Sequence, residues 1–340
     1  MSKIGVGIIG TGSIVNTYVK CIEELNDVSL VALYTKSSQR IEEAKATFGM
    51  PVYSNLDEFM ALQEIDLVCV CNESGRHGRA IKAAAKAGKH VLCEKPLEVT
   101  TEKIDEVLEF SKKQGITLGC VLQNRCSEAY RIVENTVKSG KLGKLLMGNA
   151  HINWYRPQAY YASSDWRGTL EYDGGAALMN QGIHTIDLLI NLMGDVKSVF
   201  GSVRTLVHDI EGEDVGIGLL HFENGAIGSI TGGTALYPGY PEKVEIYGEK
   251  GSILMEGGRI KQWNIKDVPA PNLDVDKVDG SGSSDPTAIS HQHHKAVIAD
   301  MIEAIEQRCS PMVEGKEARK AVAVITAIYE SSENEKMVYL

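Results

Sequence analysis

Long apolar runs are missing from this 340-residue chain. Nothing in it approaches the roughly 20 consecutive apolar residues that a bilayer span requires, so no membrane partner is expected. The opening MSKIGVGIIG enters a strand-like run directly, without a charged segment, an apolar core and a small-residue cleavage site. No secretory signal is therefore expected. A basic surplus is lacking too. Asp and Glu outnumber Lys and Arg by 45 to 35, a net charge of −10, and this argues against a nucleic-acid partner, whose binders usually carry a basic face. The imbalance does not exclude a phosphate-bearing ligand, which backbone amides and one or two cations can grip locally. Paired CxxC spacings are also absent. The seven cysteines (21, 69, 71, 93, 120, 126 and 309) are scattered and odd in number, which suits reduced thiols in the cytoplasm better than a disulfide framework.

The chain is too long for one typical core, so two domains are expected, divided as 1–122 and 123–340. The run KIGVGII from Lys3 to Ile9 is followed by Gly10-Thr11-Gly12, and a helix is expected from Ser13-Ile14 onward. Strand, glycine turn and helix form the context of a dinucleotide fingerprint: Gly10 permits the turn and Gly12 lets the backbone approach a pyrophosphate. Val15 stands at the third glycine position, and a purely structural tight turn would read the same way. A second strand, Val28 to Tyr34, ends in Thr35-Lys36-Ser37-Ser38 with Arg40 close behind. NAD binders usually carry a carboxylate there for the ribose hydroxyls. Hydroxyls and cations in its place point toward NADP rather than NAD, unless Lys36 and Arg40 are only solvated charges. Further strands at Asp66 to Cys71, His90 to Cys93 and Thr117 to Leu122 alternate with helices at Ala80 to Ala87 and Thr101 to Gln114. That is the pattern of parallel βαβ units with a ligand outside the carboxyl ends of the strands. Glu94 and Lys95 fall at this edge, and Pro96 holds Lys95 in an extended or turn conformation, with a cis bond in keeping with the site.

In the second half, DGGAALMNQGIHTID (173–187) carries apolar residues at helical spacing. Asn180, His184 and Asp187 then share one helix face. An imidazole beside an amide and a carboxylate suits acid/base chemistry; a core histidine satisfied by its neighbours fits the same pattern. Six strands, from Leu145 to Trp154, Ser198 to Val207, Asp214 to Phe222, Ala226 to Thr234, Glu242 to Tyr247 and Gly251 to Met255, imply an open, mostly antiparallel sheet with helices on one face. Arg156 and Arg167, flanked by Tyr155, Tyr160 and Trp166, would suit an anionic or nucleotide-bearing substrate, although core aromatics and surface cations would look alike. Asp274 to Ser284 reads as a polar loop able to order over a ligand. His291, His293 and His294 lack a matching carboxylate or cysteine and read as a helix start facing a cleft, not as a metal site.

The turn GKHVLCEKP, the opening GxGxI and the later GG…N-x-G-x-H-x-x-D together resemble the glucose-fructose oxidoreductase / inositol dehydrogenase (Gfo/Idh/MocA) family, from Ile4 to about Tyr329. Gln123-Asn124-Arg125, Trp154 to Gln158, Asp165 to Thr169, Met179-Asn180-Gln181, Glu211-Gly212-Glu213-Asp214, Tyr237-Pro238 and Tyr247 to Gly251 look like its UDP-N-acetylglucosaminuronic acid 3-dehydrogenase branch. The resemblance implies a Rossmann domain followed by an α+β domain, and an NAD(P)-dependent sugar oxidoreductase. It implies catalytic roles for Lys95, His184 and Asn180, and cofactor contacts from Gly10, Thr11, Gly12, Ser13, Ile14, Thr35, Lys36, Ser74, His77, Glu94, Lys95 and Asn124. Substrate contacts would fall on Lys95, Arg156, Tyr160, Trp166, Arg167, Asn180 and His184, and a homodimer or homotetramer would form through the second sheet. Two departures stand out. The family's T-P-N-x-x-H loop reads Asn72-Glu73-Ser74-Gly75-Arg76-His77, keeping only the histidine, and Val15 replaces the usual small residue at the start of the first helix. Many relatives have Asp four residues before the motif histidine; here it is Asn180, as in the UDP-sugar branch. Asn cannot take a proton, which concentrates acid/base duty on His184 and Lys95. Ketosugar reduction, 3-keto-mediated glycoside cleavage and, from another class, a non-catalytic NAD(P)-binding sensor remain alternatives.

Overall fold

A computed structural model describes residues 3–272 and 291–340; the expected loop at Asp274 to Ser284 lies outside them. The chain divides into two units, Met1–Leu122 with His291–Arg319, and Gln123–Ser290 with Lys320–Leu340. The segment from His291 to Arg319 groups with the first unit and not with the residues before it in sequence.

The first unit builds β1 (Ile4–Ile9), α1 (Ile14–Glu23), β2 (Val28–Tyr34), α2 (Ser38–Phe48), β3 (Val52–Tyr53), α3 (Leu56–Met60), β4 (Leu67–Val70), α4 (His77–Lys86), β5 (His90–Cys93), α5 (Thr101–Gln114) and β6 (Leu118–Cys120). The strands run parallel in the order β3-β2-β1-β4-β5-β6, the doubly wound order of dinucleotide-binding domains. β1 and β4 are buried along their whole length, which explains why they read as apolar runs without alternation. Register aligns the strand ends: Ile9 pairs with Tyr34 and Val70, and Val70 pairs with Cys93. Gly10, Thr35, Cys71 and Glu94 therefore leave the sheet along one edge. α5 begins where Thr100 accepts the N–H of Lys103 and ends at Gly115, φ 70°, a cap at each end.

The second unit contains α6 (Glu128–Lys138), β7 (Leu145–Asn153), α7 (Gln158–Tyr161), α8 (Ile183–Met193), β8 (Val196–Arg204), β9 (Val215–Phe222), β10 (Ile227–Gly233), β11 (Lys243–Gly248), β12 (Gly251–Glu256) and β13 (Arg259–Ile265). α9 (Gln292–Gln307) returns to the first unit, α10 (Gly315–Asn334) follows it, and β14 (Val338–Tyr339) closes the chain. Eight strands lie in the order β13-β12-β11-β7-β10-β9-β8-β14. Among the described residues of this sheet only β7 and β10 pair in parallel; the other pairs are antiparallel. β13 and β14 were not expected, one lacking a clean alternation and the other only two residues long. β8 stops at Arg204, short of the expected Val207, because the Asp214 carboxylate takes the N–H groups of Leu206, Val207 and His208 at 2.8, 2.8 and 2.9 Å. Leu189 and Met193 of α8 press on Gly148 of β7, so α8 covers the inner face of the sheet. Among the described residues no helix is long and apolar enough to cross a membrane.

Candidate active site

In the first unit, the glycine turn after β1 has the shape of a phosphate cradle. Gly10 sits at φ +116°, and a Cβ there would meet the carbonyl oxygen of Cys71 at 2.6 Å. Only glycine tolerates both constraints. A Cβ on Gly12 would meet nothing within 4 Å, so open space lies beside the loop. Ser13 makes no side-chain cap to α1, and the Oγ1 of Thr11 is buried without a partner. An open glycine, uncapped first-turn amides and an orphaned hydroxyl fit a bound pyrophosphate. At the end of β2, Thr35 is buried and Lys36 and Arg40 are exposed; the Thr35 Oγ1 accepts the N–H of Ser37 at 3.3 Å.

The turn after β5 is braced from three sides. The Lys95–Pro96 bond is cis, as the sequence suggested. His77 sets Nδ1 against the Pro96 carbonyl at 2.8 Å and Nε2 against the Asn72 carbonyl at 3.0 Å. Its two nitrogens tie the loop after β4 to this turn. Ser74 lies buried in the short turn between them. Glu94 is likewise a brace: Tyr18 donates to its carboxylate at 2.9 Å, the Lys95 N–H approaches at 3.3 Å, and His294 lies at 3.7 Å. Burial pushes the Glu94 pKa up, but the hydrogen bond and charge of His294, the charge of Lys95 and the Tyr18 hydroxyl outweigh it and hold the group at about 2. Lys95 itself is half-buried in a run, Val91 to Val99, whose other members are all buried. His291 stands at the start of α9, its side chain meeting Glu24 at 2.9 Å and making no cap to the helix.

In the second unit, the expected helix begins differently. Ala177–Gly182 forms a π-helical turn that passes into α8 at Ile183, and the N–H groups of Asn180 and Gln181 both approach the Ala176 carbonyl at 3.2 Å. The wider turn alters the shared face read from simple α spacing. Asn180 donates to Asp173 Oδ1 and accepts from Gln181 at 2.6 Å. Asp187 takes a two-pronged bond from Arg125, 2.8 Å from Nε and 2.6 Å from Nη2, both side chains buried. Gln123, two residues before Arg125, approaches His184 Nε2 at 3.5 Å. Asn124 lies between these two contacts, in the turn Gln123–Cys126. From Asp173 to Ile190 every residue is buried except His184. A helix that exposes one imidazole presents it for use.

Arg156 and Arg167 separate in role. Arg156 is 2% exposed, with Nε on Gln181 at 3.0 Å, Nη1 on the Tyr155 carbonyl at 2.9 Å, and its guanidinium over the Trp154 and Tyr160 rings. In that geometry Arg156 braces the interior around Gln181 and Tyr160. Arg167 lies 4.5 Å from the Tyr160 ring centroid and 4.8 Å from that of Trp166, and donates to the Tyr160 hydroxyl at 2.6 Å. Its Nε is buried with no hydrogen-bond partner among the described residues, an N–H left for an acceptor from outside. In the sequence Glu213 figures only as part of the Glu211-Gly212-Glu213-Asp214 motif, with no role of its own; its carboxylate holds the start of the π turn, with Tyr329 beside it. The motif marks the position of Glu213, but nothing local in the sequence ties it to Tyr329 or to the π turn.

Comparison with known proteins agrees with both halves. Residues 4–121 match the oxidoreductase family with NAD-binding Rossmann fold, GFO/IDH/MocA, and residues 130–254 match a GFO/IDH/MocA C-terminal domain. The WlbA dehydrogenase from Bordetella pertussis, solved in complex with NADH and UDP-GlcNAcA, is 30% identical with a TM-score of 0.89, covering 99% of each chain. The WlbA dehydrogenase from Chromobacterium violaceum, solved with the same two ligands, is 28% identical with a TM-score of 0.89, over 100% of this chain and 96% of its own. The myo-inositol 2-dehydrogenase of Thermotoga maritima is 28% identical over 262 residues, 75% of either chain.

Proposed function

The chain belongs to the GFO/IDH/MocA family of NAD(P)-binding oxidoreductases, and from that premise we propose that it oxidises a secondary hydroxyl of a nucleotide-activated sugar acid. The observation that carries the reading is the exposure pattern: His184 and Lys95 are each half-exposed in a run whose other members are buried. Nicotinamide, when bound, accepts the hydride released from the sugar carbon. Gly10, Thr11, Gly12, Ser13 and Ile14 would hold its pyrophosphate, with Thr35 and Lys36 toward the adenosine ribose. β2 ends without a carboxylate, which favours NADP over NAD. His184 takes the hydroxyl proton; Lys95 steadies the developing oxyanion and donates a hydrogen bond to it. Asn180, fixed by Asp173 and Gln181, orients a neighbouring hydroxyl.

Arg167 supplies the anion contact. Its unpartnered Nε and its stacking between Tyr160 and Trp166 suit a carboxylate or phosphate beside a flat ring. UDP-GlcNAcA, the ligand of both WlbA complexes, has that chemistry. Oxidation at C3 is favoured over ketosugar reduction or glycoside cleavage on the strength of that similarity. Cys21, Cys69, Cys71 and Cys93 are buried thiols, with burial pushing Cys21 up to about 11 and raising Cys69 as well; such thiols suit the cytoplasm. Outside the catalytic region, Phe200, Ile217, Leu219 and Ile227 stand exposed on the outer face of the large sheet, Leu219 at 60%. An apolar patch of that kind supports a homodimer or homotetramer built on this face.

Turnover of UDP-GlcNAcA with NAD+ and NADP+ tests the assignment. His184→Ala and Lys95→Ala should each lower kcat by about 10²- to 10⁴-fold while the affinity for cofactor stays within a few-fold of the parent. Wild-type turnover in His184→Ala would remove the proton acceptor from the scheme.

A further inference from the structure

We infer that Glu213 is a positioning residue for Asn180 and His184, and that Glu211-Gly212-Glu213-Asp214 is the staple on which the second unit's candidate substrate pocket is assembled. The inference rests on the catalytic reading of His184 given above. Four successive residues ahead of β9 bind four separate stretches of chain. Glu211 accepts the N–H of Leu170 at 2.9 Å, and Gly212 donates to the Gly168 carbonyl at 2.8 Å. Both contacts fasten the loop that carries Trp166 and Arg167. Asp214 gathers the N–H groups of Leu206, Val207 and His208 and lies 3.1 Å from His208 Nδ1. His208 Nε2 in turn meets the Arg156 carbonyl at 2.8 Å, fixing the segment that leads to Tyr160.

Glu213 holds the start of the π turn. Its Oε1 accepts the N–H of Leu178 at 2.6 Å, its Oε2 that of Ala176 at 3.1 Å, and its own carbonyl that of Ala177 at 3.0 Å. Tyr329 of α10 donates to the same Oε1 at 2.8 Å. Three consecutive amides, which a helix start otherwise leaves unsatisfied, are thus held by one buried residue. The backbone passes this pair without slack: Gly175 adopts φ +138°, and a Cβ there would collide with the Tyr329 hydroxyl and press on the Glu213 carboxylate.

The clamp decides direction as well as stability. A π turn contains one residue more than an α turn, and each residue advances an α-helix by about 100°. Releasing the amides of Ala176 to Leu178 would let the turn relax toward α geometry. Asn180 would then rotate about the axis relative to His184 by roughly that angle, while the body of α8 stayed packed on the sheet. Displacement of this order at a reacting centre costs about 10²-fold in rate.

The test compares Glu213→Gln and Tyr329→Phe with the parent, and with His184→Ala as the control. Glu213→Gln keeps the shape but turns one acceptor oxygen into an NH₂ that faces a backbone N–H. With UDP-GlcNAcA and NAD+ as probes, kcat should fall about 30- to 100-fold in Glu213→Gln and about 3- to 10-fold in Tyr329→Phe, at unchanged NAD+ affinity. The kinetic isotope effect on hydride transfer should rise in both. A readout that needs no substrate is the imidazole resonance of His184, identified by its loss in His184→Ala; it should move in both variants. Wild-type kcat, or a His184 resonance at its wild-type position in a folded variant, overturns the inference. If Glu213→Gln does not fold, Tyr329→Phe decides by the same two readouts. Turnover surviving in His184→Ala would defeat the catalytic reading alone, and the resonance would still judge the positioning of the imidazole.

Discussion

Single side chains in this protein are distinguished more by what they touch than by their type. Two arginines of similar sequence setting diverge: Arg156 is spent on Gln181 and a backbone carbonyl, while the Nε of Arg167 is buried with no hydrogen-bond partner among the described residues. The motif histidine is half-exposed on an otherwise buried stretch, and the carboxylate three residues on is committed to Arg125. Replacing Asp187 with Ala leaves that guanidinium buried and without its counter-ion. Breaking a buried pair in this way costs about 3–5 kcal/mol, to be read as a lower urea midpoint; a loss below 1 kcal/mol by the same measurement contradicts it. Glu94 gives a pH signature. Its pKa falls from 4.5 to about 2 on folding, so its ionised form stabilises the fold. That stabilisation is complete above 4.5 and is lost as the pH falls toward 2. The stability gap between the parent and Glu94→Gln should therefore narrow by on the order of 3 kcal/mol between neutral and strongly acid solution. Parallel curves would remove the role assigned to His294 and Lys95.

Among the elements, the glycine turn and the π turn show opposite degrees of legibility. The strand-turn-helix at Ile4 to Glu23 follows from composition alone, since β1 is buried throughout and a glycine pair marks its exit. Gly10 and Gly12 nevertheless serve different ends, and substitution separates them. Gly10→Ala meets the Cys71 carbonyl and a forbidden φ, and should lower the melting temperature, at a cost of about 1–3 kcal/mol for the backbone strain. Gly12→Ala meets nothing in the protein, so it should melt with the parent yet bind NAD+ or NADP+ more weakly by calorimetry. Equal cofactor affinity in Gly12→Ala would mean that the pyrophosphate lies elsewhere. The π turn was not legible. Its extra residue is imposed by Glu213 and Tyr329, more than 30 positions away in sequence, and local spacing carries no trace of such a contact.

For the whole molecule, the order of elements was readable and the returns of the chain were not. Alternating strands and helices announced a parallel sheet, and the run of strands after Leu145 announced the antiparallel one. The return of His291–Arg319 to the first unit is a long-range pairing, visible in the contact of the Cys120 N–H with the Val313 carbonyl at 3.1 Å. The exposed apolar side chains on β8, β9 and β10 were hidden in plain alternation, because a strand covered by a partner and one facing solvent differ only in those outward positions. Leu219→Lys on that face should shift the species seen by light scattering toward the monomer and leave the protein folded. An unchanged mass, or a parent already monomeric, would contradict an oligomer built on this face.

The most direct measurement is reduced nicotinamide formed when the protein meets UDP-GlcNAcA with NAD+ or NADP+. A stoichiometric rise in its absorbance that disappears in His184→Ala is the expected result. Cofactor bound at full occupancy with no reduction, across UDP-sugars, inositols and glycosides alike, would show a binder that performs no hydride transfer.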